Sequence, residues 1–309
     1  MDVRGLLEQW DLRPSKGLGQ NFLVDPVVLD RIVVAAELAR TDVVLEVGAG
    51  LGTLTGRLAR QAGHVVAVEL DQRLIPVLEH VLSGLTNVTV VQGDILALDP
   101  AALLQSQIGK SANAGEYTGK QIGKSANLQS PISSPQSPIP NPHYKVVANL
   151  PYYITSAVLR HLLEARLKPQ RMVLTVQREV AERIVARPGQ MSLLAVSVQF
   201  YGQPQLLFRV RPGSFYPSPE VESAVVRIDL YAEPPVLVED TGAFFRVVRA
   251  GFGQRRKQLR NALAAGLGRP PEEVAARLRE VGVDPSRRAQ ALSLEEWGRV
   301  TRALGNPHS

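Results

Sequence analysis

The chain has no cysteine in its 309 residues, which excludes disulfides and thiolate metal sites. Its five histidines, His64, His80, His143, His161 and His308, form no pair or cluster at ligand-like spacing. A zinc deaminase site built from His and Cys is therefore excluded. No apolar run is long enough to span a bilayer, and no basic stretch leads into an apolar one near the start. A soluble, cytoplasmic protein without a membrane segment or signal peptide is expected. Acidic residues are about as frequent at the back of the chain as at the front, but basic residues concentrate there. Residues 241–309 carry 13 Lys plus Arg against 6 Asp plus Glu, whereas the remainder carries 22 against 23, so the net charge of +6 sits entirely at that end. A near-neutral front with a basic back suits a catalytic part carrying a polyanion-binding appendage, and equally a solvated helical surface. The length allows a full core and a second, smaller domain.

The front of the chain alternates strand and helix signals. Asp25 before Pro26 is an N-cap with proline at the first helical position, and Leu29, Ile32, Val33 and Ala36 give the apolar stripe of a helix to about residue 40. Ahead of it, residues 15–24 are polar and glycine-rich and close on Phe22, Leu23 and Val24, as a mobile arm lying over something would. Residues 43–47 read as a buried strand running into Gly48, Gly50 and Gly52, with a helix through Leu54 and Leu58 behind. Strand, glycine turn and helix N-terminus form a cradle for an anion or cofactor. The next strand ends at Glu69, 21 positions after Gly48, where a carboxylate can take ribose hydroxyls. The sixth position of the glycine motif is Thr53 rather than a small residue, so the motif alone fits S-adenosylmethionine or NAD. A third strand, 88–91, ends at Gly93-Asp94. Asp94 suits either the amino group of a cofactor adenine or a plain N-cap.

Residues 105–143 change character. Gln-Ile-Gly-Lys-Ser-Ala-Asn occurs at 107–113 and again at 121–127, followed by a proline-rich tail without apolar periodicity. A disordered insertion is expected. Gly123-Lys124-Ser125 lacks the spacing and preceding strand of a phosphate loop, which excludes that reading.

The stretch 146–153, Val-Val-Ala-Asn-Leu-Pro-Tyr-Tyr, is a buried strand that stops at an amide, a proline and two aromatics. The Asn149 side-chain oxygen and the Leu150 carbonyl, fixed by the turn at Pro151, can accept from both hydrogens of an exocyclic amine, with Tyr152 flat against its ring. A polar turn after a core strand is the plainer alternative for four residues taken alone. A helix from 155 to 165, a strand at 172–176, helices near 180–185 and 192–200, and strands at 206–210 and 224–228 complete a pattern for a parallel sheet covered on both faces. The loop 211–219 returns Phe215 toward the mouth as a second aromatic wall. Past Pro234-Pro235 only helical patterns remain. Gly251 and Gly253 interrupt the first, Arg255, Arg256, Lys257 and Arg260 follow with Arg256 and Arg260 at i, i+4, and Ser293 with Glu296 forms a capping box for the last helix.

GLGQNFLVD (17–25), LEVGAGLGTLT (45–55), VELD (68–71), GDIL (93–96), NLPYYIT (149–155), QREVAERI (177–184), SFYPSPEVESAVVR (214–227) and FGQRRKQLRN (252–261) occur in this order. With them the chain resembles the ribosomal RNA adenine N6,N6-dimethyltransferase family over nearly its whole length apart from the insertion. The resemblance implies a Rossmann-like class I S-adenosylmethionine-dependent methyltransferase domain over 1–235 and a small all-helical RNA-binding domain over 236–309. It implies dimethylation of N6 on two adjacent adenosines in a hairpin near the 3′ end of small-subunit rRNA, by a monomer acting on the assembling subunit. Large-subunit rRNA, DNA, or a mainly non-catalytic assembly role are the alternatives. By matching position, Asn21, Leu23, Gly48, Glu69, Asp94 and Asn149 would bind S-adenosylmethionine. Asn149, Leu150, Pro151, Tyr152 and Phe215 would form the catalytic site, and Arg255, Arg256, Lys257 and Arg260 would meet RNA phosphates. Ser218 departs from the proline run usual in that stretch.

Overall fold

The computed structural model describes residues 2–112 and 143–305. In chain order its front holds α1 (Val3–Gln9), β1 (Phe22–Leu23), α2 (Pro26–Ala36), β2 (Val43–Val47), α3 (Thr55–Ala59), β3 (His64–Glu69), α4 (Ile75–Leu82), β4 (Val88–Gln92) and α5 (Pro100–Ala112). Then come β5 (Tyr144–Asn149), α6 (Thr155–Glu164), β6 (Arg171–Gln177), α7 (Arg178–Ile184), α8 (Leu193–Tyr201), β7 (Gly202–Val210), β8 (Phe215–Tyr216) and β9 (Ser223–Leu230). Four helices follow, α9 (Thr241–Phe252), α10 (Leu259–Leu267), α11 (Pro271–Glu280) and α12 (Leu294–Leu304). The backbone of residues 105–112, expected to open the insertion, continues α5, and residues 113–142 lie outside the described part.

Seven strands form one sheet in the order β4-β3-β2-β5-β6-β9-β7. The first five are parallel, while β9 runs against both its neighbours, so the sheet is mixed rather than all parallel. The valine-rich strands are buried on both faces, as parallel strands with helices on each side must be. Leu45, Val66, Val146 and Leu174 face α6 through Leu159 and Leu162. Val44, Val65, Val147 and Val173 face the opposite way, onto Leu29 and Ile32 of α2 and Leu58 of α3.

Helix α2 starts as its sequence predicts, with the Asp25 carboxylate accepting from the amides of Val27 and Val28 and with Pro26 at the first position. It stops at Ala36, short of residue 40, because Glu37 turns left-handed with φ 48°. That turn delivers the Glu37 carboxylate to Arg171 and Arg227, each 2.6 Å away, and both arginines also hold Asp229. The charged box ties the end of α2 to β6 and β9 at the edge of the sheet remote from the glycine turn.

After Val236 the helices pack around Phe244, Val248, Leu263, Leu278 and Trp297, but this second core also takes in Ala195, Val196 and Phe200 of α8. Gly251 does not interrupt α9. The helix passes through it, and glycine occupies the position because a Cβ there would run into the Trp297 ring, so the missing Cβ lets α12 approach. The capping box of Ser293 and Glu296 is present at the start of α12. Among the described residues no helix is long and apolar enough to cross a membrane.

Candidate active site

The parallel strands end on a common rim, and the strand order reverses between β2 and β5, the place where open α/β sheets leave a crevice for ligands. Gly48, Gly50 and Gly52 follow β2 with φ of 73°, 60° and 77°, a left-handed backbone that glycine adopts without strain. Across the switch point a Cβ on Gly48 would lie 3.7 Å from the Asn149 carbonyl. The crevice between them is lined by Gln20, Asn21, Gly48, Gly50, Glu69 and Asp94 on one side and by residues 149–154 and Phe215 on the other.

Glu69 is held in place by the glycine turn. Its Oε2 accepts from the Gly50 amide at 2.7 Å and its Oε1 from the Asp71 amide at 2.8 Å. Burial pushes the Glu69 carboxyl above the usual carboxylate range, and these two amides oppose the shift. Asp71 is held below its ordinary value, first by Arg73 and against some burial, with Gln20 also donating to it at 2.8 Å. Asp94 is exposed on the rim and accepts from the Leu96 amide at 2.9 Å, so it caps the turn after β4 while lining the crevice.

The polar arm crosses the crevice as a strap. Gln20 anchors it to Asp71, Gly19 rests on the Tyr153 ring at a distance that leaves a Cβ only 3.2 Å, and the Asn21 carbonyl accepts from Asn149 Nδ2 at 2.9 Å. That last bond commits the amide nitrogen of Asn149 and leaves Oδ1 as its free acceptor. No hydrogen bond is donated to Asn149 Oδ1 or to the Leu150 carbonyl among the described residues. Both acceptors therefore stand open at the end of β5 with the Tyr152 ring beside them.

Tyr152 is tethered as well. Its hydroxyl lies 2.7 Å from Ser223 Oγ, a fully buried group at the start of β9. Burial raises the Tyr152 phenol above its ordinary pKa, and the bond to Ser223 opposes it. Ser223→Ala should leave that half-buried hydroxyl without its partner and lower unfolding free energy by about 1 to 2 kcal/mol, measured by urea melts.

Of the residues expected at the site, Asn21, Gly48, Glu69, Asp94, Asn149, Leu150, Pro151, Tyr152 and Phe215 line the crevice. Leu23 does not. It is buried under the arm, pairs with Phe215 in β1–β8, and offers its carbonyl to the Thr53 hydroxyl at 3.2 Å. Leu70 and Ile95, which line the crevice one position after Glu69 and Asp94, and Gln20 lie within the quoted motifs but are not among the residues expected at the site. Apolar residues placed directly after acidic strand ends are the signal that points to the first two. The donor set fits an adenosine-containing cofactor: carboxylates for hydroxyl and amino groups, with apolar side chains for the faces of a planar ring.

The basic cluster departs from its expected form. Arg255, Arg256 and Lys257 sit exposed in the turn between α9 and α10, and α10 begins only at Leu259, so Arg256 and Arg260 do not share a helix face. The start of α10 is fixed by the Leu259 amide donating to the Arg287 carbonyl at 2.6 Å. Arg260 is half-buried, with Nη1 3.8 Å from Glu272 and Nε buried without a partner.

Comparison with known proteins identifies the family of the chain. The family model described as "Ribosomal RNA adenine dimethylase" matches residues 13–305. A protein named "Ribosomal RNA small subunit methyltransferase A" from Dehalococcoides mccartyi (strain CBDB1) is 44% identical over 306 residues, covering 99% of this chain and 94% of its own. One of the same name from Pelotomaculum thermopropionicum is 43% identical, covering 96% of this chain and 94% of its own. The solved structure of the 23S rRNA methyltransferase ErmE superposes with a TM-score of 0.66 at 27% identity, covering 93% of this chain and 100% of the other. A dimethyladenosine transferase from Plasmodium falciparum shares the fold with a TM-score of 0.69 at 22% identity, covering 90% of this chain and 95% of the other. A match that runs from the polar arm to the last helix, at this identity and over these motifs, places the chain in the ribosomal RNA adenine dimethylase family.

Proposed function

We propose that the chain transfers methyl groups from S-adenosylmethionine to N6 of two adjacent adenosines in small-subunit rRNA, in a hairpin near its 3′ end, during assembly of the subunit. The observation that carries this reading is the pair of open acceptors, Asn149 Oδ1 and the Leu150 carbonyl, beside Tyr152 on the same rim as Gly48, Glu69 and Asp94. Identity favours the small subunit over the large, at 44% across 99% of the chain against 27% with the 23S enzyme.

Glu69 would hold the ribose hydroxyls of the cofactor, Asp94 its adenine amino group with Leu70 and Ile95 on the ring faces, and Gly48 and Asn21 its amino-acid end. When bound, the cofactor supplies an electrophilic methyl on sulfur. The N6 lone pair of adenine is delocalised into the ring, so the chain's task is to make that nitrogen nucleophilic and to align it. Two acceptors on the two N6 hydrogens favour a pyramidal nitrogen with its lone pair directed outward. Pro151 fixes the turn that spaces them, and Tyr152 and Phe215 wall the base. As the N–C bond forms and the C–S bond breaks, N6 becomes cationic and acidic and releases its proton to water. No protein base is required, so alignment and acceptor placement carry the acceleration.

The chemistry belongs to residues 1–235 and RNA docking to residues 236–309, in a cytoplasmic monomer. Arg255, Arg256 and Lys257, exposed in their turn, would meet phosphates, with Arg260 contributing less because Glu272 faces it. Neutralising the three to glutamine should flatten the slope of log affinity against log salt by roughly 0.7 to 0.9 for each phosphate that is no longer neutralised, with cofactor affinity unchanged. An unchanged slope in a salt series would return them to the solvated surface.

The deciding experiment supplies labelled S-adenosylmethionine to small subunits lacking the modification, with large subunits in parallel, followed by nucleoside analysis. Label in dimethyladenosine from the small subunit supports the reading. Label confined to the large subunit, or none, overturns it.

A further inference from the structure

A second groove, of about 300 Å³, opens where α6, α7 and α8 meet α9. Its size sits at the small end for ligand pockets, enough for one planar group rather than a helix. The floor is apolar, from the buried Leu159, Leu163, Val198 and Phe245, and the half-buried Tyr201 ring forms a wall. Three arginines and one carboxylate are the charged part of the lining. The carboxylate, Glu164, is taken by Arg160 Nε at 3.1 Å, whereas Arg183 and Arg249 have no acidic partner among the described residues. An apolar slot with an aromatic wall and two free guanidinium groups at its edge matches a nucleobase with its flanking phosphates.

The groove lies next to the crevice along one element. Tyr153 and Ile154 line the crevice, and Ser156 and Arg160 line the groove, with α6 beginning between them at Thr155. From Ile154 to Arg160 the helix rises about 9 Å, a span that a few nucleotides of one strand cover. We propose that this groove seats an unpaired base of the same RNA strand, a nucleotide other than the two targets, with Arg183 and Arg249 on its phosphates. It rests on the reading of RNA as substrate and adds a second point that fixes how far the strand enters the crevice. An acidic peptide, the other occupant of suitable charge, would have no reason to sit within two helical turns of the target pocket.

The test combines Ser197→Phe, which fills the groove and keeps every arginine, with a double variant, Arg183→Gln and Arg249→Gln. The RNA is the hairpin substrate carrying abasic replacements at each unpaired nucleotide outside the two targets. With the unsubstituted chain, one abasic position should weaken binding about ten-fold, as loss of a stacked base does. In Ser197→Phe affinity should fall by a similar factor, and the same abasic change should then have no further effect. The arginine variant should flatten the salt slope by about 1.4, two single-strand phosphates. No sensitive abasic position, or normal affinity in a normally folded Ser197→Phe, overturns the proposal. Should Ser197→Phe lower the melting temperature, the arginine variant decides, and an unchanged slope overturns it. An oligoglutamate peptide that binds the groove without displacing RNA would assign it to a protein partner instead. Failure of the functional reading is separate, because it shows as absent methyl transfer with hairpin binding still measurable.

Discussion

Asn149→Ala should slow methyl transfer by about 10² to 10³-fold in single-turnover assays, the range seen when one preorganised polar group facing a reacting atom is removed. The side chain has a divided task. Its nitrogen is spent on the Asn21 carbonyl at 2.9 Å, and this bond aims the oxygen into the crevice. Alanine removes the acceptor and also releases the strap, so cofactor affinity should weaken too, by a much smaller factor. Calorimetry with S-adenosylmethionine separates the two effects. Tyr152→Ala provides the contrast, since its ring faces the target base and should affect turnover and RNA affinity while leaving cofactor binding in place. Equal losses of cofactor affinity and turnover in Asn149→Ala would show that this residue binds rather than activates.

The second large effect concerns a residue that touches no proposed ligand. Glu46 in β2 is 1% exposed, and its Oε2 and the Thr55 hydroxyl are both buried without a geometric partner. Burial raises its carboxyl to about 8, with Thr55 opposing and the Glu69 charge adding to the shift. A carboxyl raised in the native state is neutral there and ionised in the unfolded chain across the interval between the two values. Its contribution to stability is therefore complete below about 4.5 and declines as pH rises toward 8. Glu46→Gln keeps the neutral shape and removes the titration. Urea melts should give similar stability for both proteins near pH 5, with the variant ahead by roughly 3 to 5 kcal/mol above pH 8. Parallel pH profiles would mean that Glu46 is ionised in the native state.

Features written in neighbouring residues are legible from the sequence alone. Asp25-Pro26 and the Ser293–Glu296 capping box are set within four positions of the chain, and each starts the helix it predicts. The glycine turn and the acidic strand ends are legible because each follows its own buried run. The open acceptors at Asn149 and Leu150 are visible as types, but the aim of the amide is not, since its partner Asn21 lies 128 positions away. The same reason hides the Tyr152–Ser223 tether, which links residues 71 apart. Strand order and the reversed β9 depend on pairing across the sheet, which periodicity in one strand does not encode. Arg256 and Arg260 look like a helical pair because the local pattern is helical, whereas the start of α10 is fixed from residue 287. Gly251 looks like a break for the opposite reason, a packing demand from Trp297 that has no local sign.

Helix α8 lends Ala195, Val196 and Phe200 to the core of the last four helices, although it precedes two strands of the sheet. The boundary expected at residue 235 is thus not a place to cut, because one core runs across it. Truncation there would strip cover from those three side chains, and a fragment ending at 235 should aggregate instead of behaving as a portable catalytic module. During synthesis the first part must wait, with that face bare, until α12 has left the ribosome. Transplanting the basic helices onto a different methyltransferase would require carrying α8 along with them.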